Sequence, residues 1–271
     1  MSEPTDADFS LLLWLLGLFV AGLSWHLSNG WLRLAQRGPT LRRQWRALAV
    51  SVAALGLGLN SALVLGLVAQ PLAFPLGFHA LGALGLVVGG LLLCLPVVAL
   101  PASPAVVMQP WRLLLSGALL AAIVLGLQAG WVLAAGFRPG VMWRPEVLAA
   151  AAMVLLVGLV MARWMAFSDT TEASPLRMVW RLAAAVLGAI TLMAGQQLMC
   201  VAAGLGAQQG SLFEGQLHGT VLGLVCGVLV PLVMAGMVLD LWLRRQQRRR
   251  RGEAGLAPKK RRKRRQRMRA L

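Results

Sequence analysis

The chain has 271 residues, 58% of them hydrophobic and 13% charged, a balance that excludes an ordinary water-soluble domain and implies an integral membrane protein. Its formal charge of +17 would suggest nucleic acid in a soluble chain. Here fifteen of the 26 Lys and Arg residues follow Leu243, so their position decides more than their sum.

The opening MSEPTDADFS is acidic where a signal peptide is basic, so the first apolar run is expected to be a retained helix. Helix 1 is predicted from about Phe9 to Leu27, with Trp25 and His26 marking its cytoplasmic end. The next segment holds Arg33, Arg37, Arg42, Arg43 and Arg46. Helix 2 runs from Trp45 to about Ala69, and helix 3 from about Phe78 to Leu100. PASPAVVMQP is a turn whose prolines stop a helix. Helix 4 follows from Trp111 to about Gly136, helix 5 from about Val147 to Phe167, helix 6 from Trp180 to about Leu205, and helix 7 from about Leu217 to Leu243. The expected organisation is an outer segment 1–8, a seven-helix membrane domain 9–243 and a basic tail 244–271. Gly56, Gly58, Gly89, Gly90, Gly223 and Gly227 are expected to allow close helix approach.

Three of these helices open alike. WRALAVSVAALGLGLNSALVLGLVA, WRLLLSGALLAAIVLGLQAGWVLAA and WRLAAAVLGAITLMAGQQLMCVAAG begin at Trp45, Trp111 and Trp180, 66 and 69 residues apart. Each can cross a hydrocarbon core of ~30 Å at a helical rise of ~1.5 Å per residue. Their period leaves room for a returning helix, so the chain reads as three helical hairpins behind one N-terminal helix.

Orientation follows from the arginines. With the N-terminus outside, the inner segments hold Arg33, Arg37, Arg42, Arg43, Arg46, Arg112, Arg163, Arg177 and Arg181 besides the tail. Only Arg138 and Arg144 fall outside, which satisfies the positive-inside rule. In this orientation the polar residues of helices 2, 4 and 6 gather in the outer half of the bilayer: Asn60 and Ser61, then Gln128, then Gln196 and Gln197.

This arrangement, in the stretches GLGLNSALVLGL, LGLQAGWVLAAG and MAGQQLMCVAAG, resembles the MHYT family of bacterial membrane sensor domains in degenerate form. The resemblance implies an inner-membrane sensory or signalling protein, and in the family the signature histidines and methionines are proposed copper ligands. Around the histidine position this chain has Ala62 or Leu63, Gln128 or Ala129, and Gln197 or Leu198, so no histidine transfers and no metal is expected at those places.

The returning helices start with His79, Glu146 and His218, 34, 35 and 38 residues after their tryptophans. Together with Asn60, Gln128, Gln196 and Gln197 they form a candidate outer-face polar cluster. One reading has them capping helix starts and hydrogen-bonding between helices. Another joins His79, Met199, Cys200 and His218 in a copper site, because imidazole with soft sulfur suits that metal. Cys94, Cys200 and Cys226 lie in apolar runs without pair spacing and read as packing residues.

Asp240 is placed to pair with Arg244 four residues on. The tail residues Arg244, Arg245, Arg248, Arg249, Arg250, Arg251, Lys259, Lys260, Arg261, Arg262, Lys263, Arg264 and Arg265 form blocks of like charge next to a membrane helix. They are expected to contact anionic lipid of the inner leaflet or a cytoplasmic signalling protein, not nucleic acid. Three histidines assemble no hydrolase triad, and the only lysines, Lys259, Lys260 and Lys263, serve no phosphate loop, so no enzyme activity is expected. A ligand or partner near the outer face is the expected input. The alternatives are a small transporter or export subunit and a membrane anchor that recruits a partner through the tail.

Overall fold

The computed structural model describes residues 8–36, 40–102, 110–167, 176–244 and 246. The expectations for the outer N-terminal segment and for almost all of the basic tail lie outside the described residues. The fold class is all-α, and the described residues include seven helices long and apolar enough to cross a membrane. They are α1 (Leu11–Gln36), α2 (Leu41–Val68), α3 (Ala80–Ala99), α4 (Pro110–Ala135), α5 (Pro145–Phe167), α6 (Leu176–Ala202) and α7 (Gly219–Arg244).

The ends of the helices follow local chemistry. Pro110 and Pro145 open α4 and α5 at the first helical position, where a missing N–H costs nothing. Gly136 and Gly204, with φ of 58° and 63°, take the left-handed turn just past α4 and α6, where a side chain would be strained. Within α7 a π-turn at Val225–Leu229 precedes Pro231, whose ring would otherwise meet the carbonyl four residues back.

Packing gives the bundle an inside and an outside. α2 is the most enclosed helix, with 67% of its apolar stretch buried, followed by α4 at 50% and α6 at 44%. These three touch one another, α1 packs against α2 and α6, α3 against α2 and α4, and α5 against α4 and α6. The first turns of α7 lie on α2. Leu84, Leu92, Val157, Met161 and Leu224 turn outward, as a surface against lipid tails requires. Small residues set the close approaches: a Cβ on Gly58 would meet Ser24 of α1, and one on Gly117 would meet Val160 of α5, both within 3.0 Å. Gly89 does not share this role, because nothing lies within 4 Å of its would-be Cβ.

Two ribbons knit one end of the bundle. β1 (Gly77–Phe78) pairs antiparallel with β4 (Leu217–His218), and β2 (Phe137–Arg138) with β3 (Gly210–Ser211). Ser211 binds them together: its Oγ lies 3.1 Å from the Gly77 carbonyl and 2.7 Å from the Ala135 carbonyl, and it accepts from the Phe213 N–H. We call this the ribbon end, and the end holding Arg33 and Arg42 the basic end.

Helix 1 differs from its expected limits. It continues nine residues past Leu27 to Gln36, burying Ser28, Asn29, Trp31, Leu32 and Ala35. Polar residues that read as a boundary are interior because they have partners: Ser28 and Ser51 of α2 share a hydrogen bond at 2.9 Å, and Ser51 also donates to the Ser28 carbonyl. From Ala235 on the chain groups as a second unit, which contains the expected Asp240–Arg244 ion pair at 2.9 Å, exposed on the last turns of α7.

Candidate functional site

The ribbon-end half of the interior holds a centre built by α2, α4 and α6. Asn60 of α2 donates from Nδ2 to the Gly56 carbonyl at 2.9 Å and accepts the Trp131 indole N–H of α4 at 3.1 Å. Gly90 of α3 leaves room for that amide. Gln128 of α4 and Gln196 of α6 are fully buried, and both aim their amide N–H at the Cys200 sulfur, at 3.6 and 3.2 Å. Gly66 of α2 gives way to the Gln196 amide.

The carbonyl oxygens of Gln128 and Gln196 have no donor among the described residues. A buried acceptor left unpaired costs about 1–3 kcal/mol, so most interiors avoid one, and two beside a sulfur that is itself a weak acceptor are notable. The centre can therefore accept hydrogen bonds it does not receive from the fold.

The other expected cluster residues occupy different surroundings. Gln197 turns away from Gln196 and exchanges reciprocal amide hydrogen bonds with Gln70, at 3.0 and 3.3 Å, a partner missed because it sits at the loop edge of α2. His79 is a helix cap: its Nδ1 accepts from the Gly82 N–H at 3.1 Å and its ring lies 5.1 Å from that of Phe213. Glu146 lies exposed in the first turn of α5, where a carboxylate meets the positive end of the helix dipole. His218 lies exposed on β4 and lines a cleft of about 210 Å³ with Gln70, Phe74 and Thr220. Met199 is buried in α6 next to Cys200. Among the described residues no three His, Cys, Asp or Glu side chains come together as a metal site would need.

A second polar centre, in the basic-end half, was not anticipated. Arg163, counted from the sequence among the inner-face arginines, is 1% exposed inside the bundle. Its guanidinium lies 4.9 Å from the centroid of the Trp25 ring and donates from Nη1 to Asn29 Oδ1 at 3.1 Å. Trp25, expected at the interface, is 4% exposed for the same reason. Trp25 and Asn29 stand four residues apart on α1 and so present one face, which is the sequence signal that could have revealed the pair. A desolvated cation–π contact gives ~2 kcal/mol and one hydrogen bond to a charged group ~1.5–3, against several kcal/mol for taking the ion out of water. Nε and Nη2 of Arg163 have no partner among the described residues.

The class that this fold defines is a multi-pass, all-helical membrane protein with two polar centres inside its bundle. No family model matches the chain, and neither does any curated protein or solved structure.

Proposed function

We propose that the chain is a sensory or signalling protein of the bacterial inner membrane, resembling a degenerate MHYT domain, with the ribbon end outside and the basic end in the cytoplasm. It responds to a ligand or partner near the outer face, and the response is a change in how α2, α4 and α6 pack. The observation that carries this reading is the pair of fully buried oxygens of Gln128 and Gln196, without a donor among the described residues, where those three helices meet. A ligand that donates hydrogen bonds to them favours one packing over another, and only such a differential interaction can shift an equilibrium. The tail then engages anionic lipid of the inner leaflet or a cytoplasmic signalling protein. No metal is required.

Hydrogen–deuterium exchange on the full chain in nanodiscs tests this, comparing native protein with a Gln128→Leu/Gln196→Leu variant. The expected result is altered exchange in the segments joining helices at the basic end, far from the substitutions. Change confined to the ribbon end would refute transmission. Reporter fusions after Asp8, between Gln36 and Thr40, and after Leu271 should report outside, inside and inside, and an outside signal from Leu271 would reverse the orientation.

The transporter reading gains from one observation: polar side chains lie inside the bundle in both halves, Asn60, Gln128 and Gln196 in one and Asn29 and Arg163 in the other. Intramembrane polar groups in series can mark a path. Ion or solute flux into liposomes that Arg163→Met and Gln128→Leu each abolish would move the assignment to it.

A further inference from the structure

Arg163 turns the wrong way for a helix-end arginine. It stands four residues before Phe167, the end of α5, so its Cα is about 6 Å inside the helix end. An arginine that close to an end ordinarily extends outward and leaves its charge at the headgroups. Here the side chain turns inward beneath Trp25 and Asn29 and is 1% exposed.

Nε and Nη2 share one edge of the guanidinium plane and point their hydrogens in parallel, the two-pronged arrangement that matches two oxygens of a carboxylate or phosphate. Both are buried, and neither has a partner among the described residues. The Asn29 amide takes only Nη1 and neutralises no charge. Among the described residues no Asp or Glu forms an ion pair with it, Asp240 with Arg244 being the ion pair found. Nearby, Arg33 of α1 reaches the Ala166 carbonyl over a long 3.4 Å, so a second cation stands where α1 and the end of α5 meet.

We infer that the Nε–Nη2 edge of Arg163 is a binding site for a phosphate-type oxyanion, which enters where α1 and α5 meet at the basic end. Phosphate is the oxyanion that a membrane presents at this depth, either as a lipid headgroup or as a free ion gathered by the basic end. Away from water the attraction is screened little by salt, so the occupant exchanges slowly. This site is separate from the Gln128–Gln196 centre and does not depend on the sensory reading.

The test is thermal unfolding of the full chain in a phosphate-free, uncharged detergent, for native protein, Arg163→Met and Arg163→Lys. One arm adds inorganic phosphate against chloride at equal ionic strength, and the other adds phosphatidylglycerol. The expected result is a rise in the native midpoint of roughly 5 °C, absent in Arg163→Met and reduced by more than half in Arg163→Lys, which keeps the charge but lacks the two-pronged edge. A rise with inorganic phosphate assigns the free ion, and one with phosphatidylglycerol alone assigns the headgroup. Lipid bound by the tail would shift all three proteins equally, so the difference between them isolates Arg163. No shift with either additive, or equal shifts in native and variant proteins, overturns the inference; if Arg163→Met does not fold, Arg163→Lys decides alone.

Discussion

Filling Gly66 should destabilise the bundle, and removing the Gln196 side chain should reverse much of that loss. A Cβ on Gly66 would stand within 3.0 Å of Oε1, Cδ and Nε2 of Gln196, closer than real Cβ atoms come. The Gln196 amide is fully buried and held toward Cys200, so it cannot swing aside into solvent. Overpacking of this kind costs ~1–3 kcal/mol, while alanine in place of a mid-helix glycine returns ~0.5–1. Gly66→Ala is therefore expected to lose ~0.5–2 kcal/mol. In a Gln196→Ala background the obstacle is gone and the new methyl partly fills the space, so the same substitution should be neutral or stabilising. The interaction between the two sites should reach about 1–3 kcal/mol, within the range for residues in contact. The assay is reversible unfolding of native, single and double variants in mixed micelles. Additive losses, with an interaction below about 0.5 kcal/mol, would mean that α2 and α6 do not meet as described.

Asn60→Leu should cost about 1–2 kcal/mol in the same unfolding assay, because it leaves the buried Trp131 indole N–H, now 3.1 Å from Asn60 Oδ1, without an acceptor. Ser211→Ala should loosen the ribbon end by about 1–2 kcal/mol and raise limited proteolysis between residues 203 and 218, since one hydroxyl serves the Gly77 and Ala135 carbonyls and the Phe213 N–H. Protein purified without chelator should carry no stoichiometric copper by elemental analysis. About one copper per chain, lost in His79→Ala/His218→Ala, would restore a metal site built on the returning helices.

The seven apolar runs were legible because a span needs little more than length and hydropathy, and the amides were legible because Asn60, Gln128 and Gln196 interrupt such runs. The aim of each side chain was not. Gln196 and Gln197 are adjacent and point about 100° apart on a helix. Only the packing of α6 against α2 decides that Gln196 goes to the interior and Gln197 to Gln70. Ser28 and Asn29 read as a boundary because polarity near a helix end usually means interface, yet each is satisfied by a residue distant in sequence, Ser51 and Arg163. The ribbons gave no signal at all: two-residue strands pairing Gly77 with His218 leave no periodicity to find.

The two polar centres share a helix. Gln196 stands in the ribbon-end centre, and Gly188, eight residues earlier on α6, lies against the Trp25 ring that covers Arg163, so close that a Cβ there would come within 3.0 Å of the indole. Eight residues of helix span ~12 Å, and a helix moves along its axis or about it as a unit over that length. On the sensory reading, a ligand that pulls on the Gln196 oxygen displaces the backbone beneath Trp25 as well, and Trp25 in turn bears on the guanidinium. The close contact leaves no slack to absorb the motion, since packed interiors repack between discrete arrangements more readily than they deform. An oxyanion at Arg163 and a hydrogen-bond donor at Gln196 would then bias the same packing equilibrium, and by linkage each would change the affinity for the other by the same factor.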